Sequence, residues 1–327
     1  MGAAHGVLRT SLRLSASRAA MASYAMCSRN SAKSATRVSS ASNRIIHSGI
    51  LSRGLAGMEP SNGERRPAHG YAALQGRRRT MEDALLRASP CGDGRYIFGV
   101  FDGHGGRRTA DFLIASLPHV CRSLPLSDAC QLPEAARDAY EHLDKKLLVK
   151  QKSERWHDGS AALLAIVCEQ QVHLLQVGDC QAALCGPDGA QFLCTEHRPA
   201  EPSEAKRLDM LGATVVKGRV HGLALSRAFG DLDVKSAGSA VTATPEVVTQ
   251  EIDEAHEMLI LGTDGLWDCM SADDAWEIVQ NAGRSGQEKW ELENAARALA
   301  TSAVEKGSSD NVSVVVVLLN DVASTDS

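Results

Sequence analysis

The chain has 327 residues, 43% hydrophobic and 23% charged, with 35 basic against 40 acidic side chains. That balance suits a globular domain with a tail, and the longest aliphatic run, near 312–319, is too short to cross a bilayer as a helix. No P-loop pattern, dinucleotide-binding glycine fingerprint or internal repeat is present.

The first segment differs from the rest in charge. No acidic residue precedes Glu59, whereas Arg9, Arg13, Arg18, Arg29, Lys33, Arg37, Arg44 and Arg53 do. The other 27 basic residues therefore face all 40 acidic ones, and the body is strongly acidic. An acid-free terminus rich in Arg and Ser has the composition of a mitochondrial transit peptide. Arg9, Arg13 and Arg18 alternate there with Val7, Leu8, Leu12 and Leu14, enough for a short amphipathic helix. Residues 1–58 are expected to be such a tail, which places the protein in the mitochondrial matrix. Residues 59–69, polar and with two prolines, read as a linker. The acidic body argues against nucleic acid or a membrane surface as partner. Nine scattered cysteines without a Cys-x-x-Cys pair read as free thiols rather than a zinc site.

From about residue 70, strand-like and helix-like segments alternate. "YIFGVF" (96–101), "SAALLAIVC" (160–168), "VHLLQVGD" (172–179), "QAALCG" (181–186), "EMLILGTD" (257–264) and "NVSVVVVLL" (311–319) are short, aliphatic and bounded by Gly, Asp or Pro. Helices are expected over about 107–117, 132–150, 203–212, 271–283 and 289–307. The fourth opens on Ser271 and Asp274 as a capping pair and stops at Gly283. Strands come in consecutive pairs, which favours antiparallel pairing in an α+β body with helices packed outside.

Several apolar runs abut an acidic residue beside Gly or Asn. These are Asp102 in "FGVFDGHGG", Asp179 in "LLQVGDCQ", Asp264 and Asp268 in "LILGTDGLWD", and Asp310 in "GSSDNVSVVVV". Glu82 and Asp83 in "RRRTMEDALL" add a further acidic spot. A carboxylate at the rim of a buried strand is costly unless solvated, paired or bound to a cation. Several rims converging on one edge would make an all-oxygen pocket suited to Mg²⁺ or Mn²⁺.

In order and approximate spacing, "GRRRTMED", "VFDGHGG", "VGDCQAAL", "GLALSRAFGDLDVK", "TPEV", "GTDGLWD" and "GSSDNVSVVVV" resemble the metal-dependent Ser/Thr protein phosphatases of the PPM family, type 2C. The resemblance covers roughly 70–320 and leaves 321–327 as a C-terminal tail. It implies a type 2C phosphatase-like β-sandwich of two antiparallel sheets flanked by helices. It implies two Mg²⁺ or Mn²⁺ ions bridged by Asp102, with the Gly103 carbonyl on one and Asp264 and Asp310 completing the other. Glu82 and Asp83 would hold ion-bound waters. Asp179 and Asp268 match positions linked to a weaker third metal. The run Arg77–Arg79 leaves the choice of arginine open, and the resemblance selects Arg78 to clamp the substrate phosphate. It makes His104 the general acid that protonates the leaving Ser or Thr oxygen. The implied reaction is direct attack on phosphorus by a metal-bridging hydroxide. Departures from the family pattern are Gln181 in "GDCQ", "GSAA" at 159–162 and "EHRP" at 196–199, which bear on third-metal geometry and surface recognition.

The implied partners are phosphorylated proteins, and with the tail these are matrix proteins. With that tail, the resemblance extends to the matrix phosphatase of the branched-chain α-keto acid dehydrogenase complex, which makes that complex an expected substrate. The alternatives are a catalytically inactive relative serving as a regulatory or binding module, and a metal-dependent nuclease. The intact carboxylate set counts against the first and the acidic body against the second.

Overall fold

The computed structural model describes residues 66–319 except 169, 239 and 286–288. The expected transit peptide, most of the linker and the tail 321–327 lie outside the described residues. The elements run β1 (His69–Leu74), β2 (Ala84–Gly92), β3 (Arg95–His104), α1 (Arg108–Cys121), α2 (Leu132–Glu154), β4 (Gly159–Val167) and β5 (Gln171–Val177). Next come β6 (Gln181–Gly186), β7 (Gly189–Phe192), α3 (Pro202–Met210), β8 (Val215–Val216), β9 (Arg219–Val220), β10 (Phe229–Gly230), α4 (Leu232–Ser236) and β11 (Glu246–Glu251). The last part is β12 (Met258–Gly262), α5 (Asp264–Trp267), α6 (Ala272–Gly283), β13 (Arg284–Ser285), β14 (Lys289–Trp290), α7 (Leu292–Glu305) and β15 (Val312–Leu318).

Two antiparallel sheets face each other. One has the order β1-β15-β12-β6-β7, the other β11-β5-β4-β3-β2, with β10 paired to β4. The central strands read as unbroken apolar runs because both of their faces are covered. Along β4, Leu164 and Ile166 pack under α1 and α2 with Leu117 and Tyr140. The alternate residues Leu163 and Val167 enter the space between the sheets with Phe98, Leu261 and Val315. Along β15, Val314 and Val316 turn the other way, onto Trp276 and Leu299 of α6 and α7. The period-2 alternation of a strand thus yields four layers: helices, sheet, sheet, helices. Each fully buried Leu, Ile or Phe contributes roughly 1.5–3 kcal/mol.

The capping pair forms as expected. Ser271 Oγ accepts from the Asp274 N–H, and the Asp274 carboxylate accepts from the Ser271 N–H, each at 3.1 Å. The helix expected from 289 starts at Leu292, because Lys289–Trp290 pairs with Arg284–Ser285 as a short hairpin. Helix α2 runs on to Glu154 and stops where Arg155 turns left-handed at φ 58°. Strands β1, β2 and β11 lie outside the expected set. β1 begins at His69, the last residue assigned to the linker. No helix among the described residues is long and apolar enough to cross a membrane. Cys91, Cys121, Cys130, Cys180, Cys185, Cys194 and Cys269 are free thiols.

Candidate active site and metal centre

One end of the sandwich collects the acidic rims. Asp102, near the end of β3, faces Ala161 of β4, and Gly262, the last residue of β12, faces both Gln181 of β6 and Val314 of β15. This register puts Asp179 before β6, Asp264 after β12 and Asp310 before β15 at the same end. Asp102 has the strand parity of Phe98 and Val100, which point between the sheets, so its carboxylate stands at the mouth of that inner layer. The Glu82 stretch crosses close above. A Cβ on Gly103 would sit 2.6 Å from the Glu82 carbonyl oxygen, so only glycine permits this crossing.

Carboxylate oxygens of Asp102, Asp179 and Asp264 lie within 4.8 Å of one another. Asp264 Oδ1 is buried and has no hydrogen-bond partner among the described residues. Burial, with repulsion from the neighbouring carboxylates, pushes Asp83 and Asp179 up to about 7 and Asp102 well above the usual range. Asp264 is raised by burial and by Asp310 and Asp268. An all-oxygen cluster with an orphaned oxygen and mutually repelling carboxylates fits a hard divalent cation. Of the sequence-derived ligands, Asp102 and Asp264 join this triad together with Asp179. Asp310 lines the same cleft, of about 250 Å³, with Glu82, Gly103, Arg78 and His104. Asp83 is buried beneath and accepts a hydrogen bond from Thr263 Oγ1 at 3.1 Å.

The raised carboxyls make a prediction for the cation-free protein. Unfolded aspartates titrate near about 4, so the folded groups keep protons that the unfolded chain has lost. Their stabilising contribution is present below about pH 4 and is lost as pH rises toward about 7. The cation-free protein is expected to melt several degrees lower near pH 7.5 than near pH 5, with Mn²⁺ restoring most at the higher pH. Scanning calorimetry in EDTA checks this; a flat melting temperature across that window would contradict it.

Arg78 and His104 reach the cleft from different elements. Arg78, 57% exposed, pairs with Asp310 at 2.5 Å. Its loop is tied down by Asn311, which donates to the Gln75 and Thr80 carbonyls at 2.8 and 3.0 Å and accepts from the Glu82 N–H at 2.8 Å. Asn311→Ala deletes all three bonds. It is expected to cost about 2–4 kcal/mol in urea denaturation and to raise KM for a phosphorylated substrate more than it lowers kcat. An unchanged denaturation midpoint would remove the anchoring role.

His104 Nε2 is held by Asp231, at 2.8 and 3.0 Å from its two oxygens. Burial works against a charged ring, but the bond to Asp231 and its charge outweigh that and raise His104 above the ordinary imidazole range. Asp231 is itself buried, in a left-handed conformation at φ 59°. Asp158 braces the turn that follows. It accepts from the backbone N–H of Arg108 and Thr109 at 2.7 and 3.4 Å, fixing the start of α1.

Three residues that hold groups of the site in place were not among those expected from the sequence: Asp231, Asp158 and Arg198. The only sequence signal for Asp231 is its place in "GLALSRAFGDLDVK". Arg198, within the departing "EHRP", bonds Asp179 and Asp268, so Asp268 faces a guanidinium at 3.0 Å rather than the triad. Cys180 is fully buried, and burial with the surrounding aspartates drives its thiol well above the ordinary range, so it is no nucleophile.

Residues 68–312 match the family profile described as "Protein phosphatase 2C". The chain is 36% identical over 258 residues to "Probable protein phosphatase 2C 71" of Arabidopsis thaliana, covering 76% of this chain and 55% of that relative. It is 34% identical over 258 residues to "Probable protein phosphatase 2C 59" of the same plant, covering 76% of this chain and 79% of the relative. Among solved structures it is similar to "Structure of a C.elegans sex determining protein", with a TM-score of 0.69 and 27% identity over 79% of this chain and 67% of that one. The match spans little more than half the length of the first of these relatives. The chain belongs to the protein phosphatase 2C family.

Proposed function

We propose that this member of the protein phosphatase 2C family is a Mg²⁺- or Mn²⁺-dependent phosphatase that removes phosphate from phosphoserine and phosphothreonine in proteins. The observation that carries this reading is the triad Asp102, Asp179 and Asp264, with its orphaned oxygen, at the floor of a cleft that also presents Arg78 and His104. Asp102, Asp264 and Asp179 would hold the cations, with Asp310 and the Gly103 carbonyl alongside and Glu82 and Asp83 supporting. Bound divalent cations would supply positive charge to the phosphoryl oxygens and acidify the attacking water. Arg78 offers a guanidinium fork to the phosphate, in place of its present partner Asp310. His104, kept protonated by Asp231, gives its proton to the departing Ser or Thr oxygen. Because Nε2 is committed to Asp231, Nδ1 is the nitrogen assigned to that transfer.

We further propose mitochondrial matrix phosphoproteins as substrates, with the branched-chain α-keto acid dehydrogenase complex as the first candidate. The acid-free, Arg- and Ser-rich composition of 1–58 supports this. The test is phosphate release from a panel of phosphorylated matrix proteins, with Mn²⁺ and with EDTA. Release that persists in EDTA would sink the metal-dependent reading. A fluorescent fusion of residues 1–58 that stays cytosolic would sink the matrix assignment alone.

A further inference from the structure

Four carboxylates converge on one guanidinium beside the triad. Arg198 Nε lies 3.2 Å from Asp179 Oδ2 and 3.1 Å from Glu196 Oε2. Its Nη2 lies 3.0 Å from Asp268 Oδ1 and 3.7 Å from Asp264 Oδ2. Two of these four, Asp179 and Asp264, also belong to the triad.

Backbone and a buried ring fix where Arg198 stands. The preceding residue, His197, is 2% exposed. Its N–H donates to the Gly178 carbonyl at 3.0 Å, its carbonyl accepts from the Ser226 N–H at 2.9 Å, and its Nδ1 accepts from the Gly178 N–H at 3.1 Å. Glu246 holds the far side of the ring at 3.2 Å. Residues 197 and 198 are thereby locked onto the turn that carries Asp179. The guanidinium is a built part of the cluster, not a surface arginine that has strayed onto it.

We infer that Arg198 is the resident cation of the outer half of this cluster: it occupies the Asp179–Asp268 side and excludes a divalent ion from it. The inference rests on the metal-dependent reading above, since it states which carboxylates remain for metal. A guanidinium presents donors in a planar fork that can satisfy several carboxylates at once. Here it takes one oxygen each from Asp179, Glu196 and Asp268. An ion entering between Asp179 and Asp268 would have to strip these bonds and then sit beside the positive charge it displaced. The inner triad suffers less, because Asp179 keeps its second oxygen for metal and Asp102 makes no contact with Arg198 in the set above. The acidic residues at this end therefore outnumber those free to ligate, and the surplus charge is neutralised by the chain itself.

The test is Mn²⁺ stoichiometry, by equilibrium dialysis of the full chain followed by elemental analysis, with circular dichroism to confirm folding. The expected result is that Arg198→Gln binds one more Mn²⁺ per chain than wild type. Asp268→Asn alone should leave the wild-type number unchanged, and the double variant should lose the gain. Equal, non-zero numbers for wild type and folded Arg198→Gln would overturn the inference and leave the metal-dependent reading intact. If Arg198→Gln does not fold, Asp268→Asn decides: an unchanged number supports exclusion, and loss of an ion shows that a metal does bind there. A wild-type chain that takes up no Mn²⁺ would overturn both.

Discussion

Asp102→Asn should lower phosphate release from a phosphothreonine peptide by about 10³-fold or more at saturating Mn²⁺. The substitution keeps shape and removes one charge. An amide nitrogen cannot ligate a cation, and the remaining oxygen ligates more weakly than a carboxylate. Asp102 stands at the mouth of the layer between the two sheets, with carboxylate oxygens of Asp179 and Asp264 within 4.8 Å, so the substitution removes one of the three carboxylates of the triad. The fold should survive. Burial already pushes the Asp102 carboxyl well above its usual range, so a neutral group there is easier to bury than the anion. The cation-free variant is therefore expected to melt no lower than wild type near neutral pH, while gaining less from added Mn²⁺. Kinetics and melting curves on the same samples separate the two effects. Activity close to wild type would exclude a catalytic metal on this residue, and a collapsed fold would mean that Asp102 is chiefly structural.

The second large effect is selective. A Ser or Thr alkoxide is a strongly basic leaving group and needs a proton as the P–O bond breaks, whereas a nitrophenolate departs as a stable anion. His104→Gln should slow phosphopeptide hydrolysis by about 10²-fold or more and cost far less on p-nitrophenyl phosphate. The Asp231 contact gives this assignment a structural basis. It turns Nε2 away from the cleft's chemistry and holds the ring above its ordinary pKa, so an acid is available near neutral pH. Rates on both substrates, at saturating Mn²⁺, decide the matter. Equal losses on the two would assign His104 to holding the Asp102 rim instead.

What could be read from the residues follows a physical divide. The central strands were legible because burial on both faces leaves a run such as Val312–Leu318 no polar positions except Ser313. β1 and β11 were not, because neither is buried on both faces and so neither reads as an unbroken apolar run. β2 is interrupted by register shifts around Ala88, whose φ of 33° breaks the period. The rim aspartates announced themselves as acids abutting apolar runs. Asp231 gave no such signal. Its meaning lies in a contact with His104 across 127 residues of sequence, and nothing local marks a carboxylate as the partner of a distant ring. Arg198 was visible only as a departure from a pattern, since its four partners come from three separate stretches of chain.

β15 lies between β1 and β12, yet among the described strands it is made after all the others. The first strand of the fold must therefore wait for a neighbour while about 240 further residues are made, roughly 10–50 s at ordinary synthesis rates. Until then the five-stranded sheet has a gap where its most apolar strand belongs, and the Asp310–Asn311 turn that anchors Arg78 does not yet exist. A chain stopped by a nonsense codon between Asp268 and Asp310 would carry the other acidic rims and still be unable to close the sheet beneath them. Such fragments should accumulate as substrates for chaperones and proteases, not as weakly active enzymes.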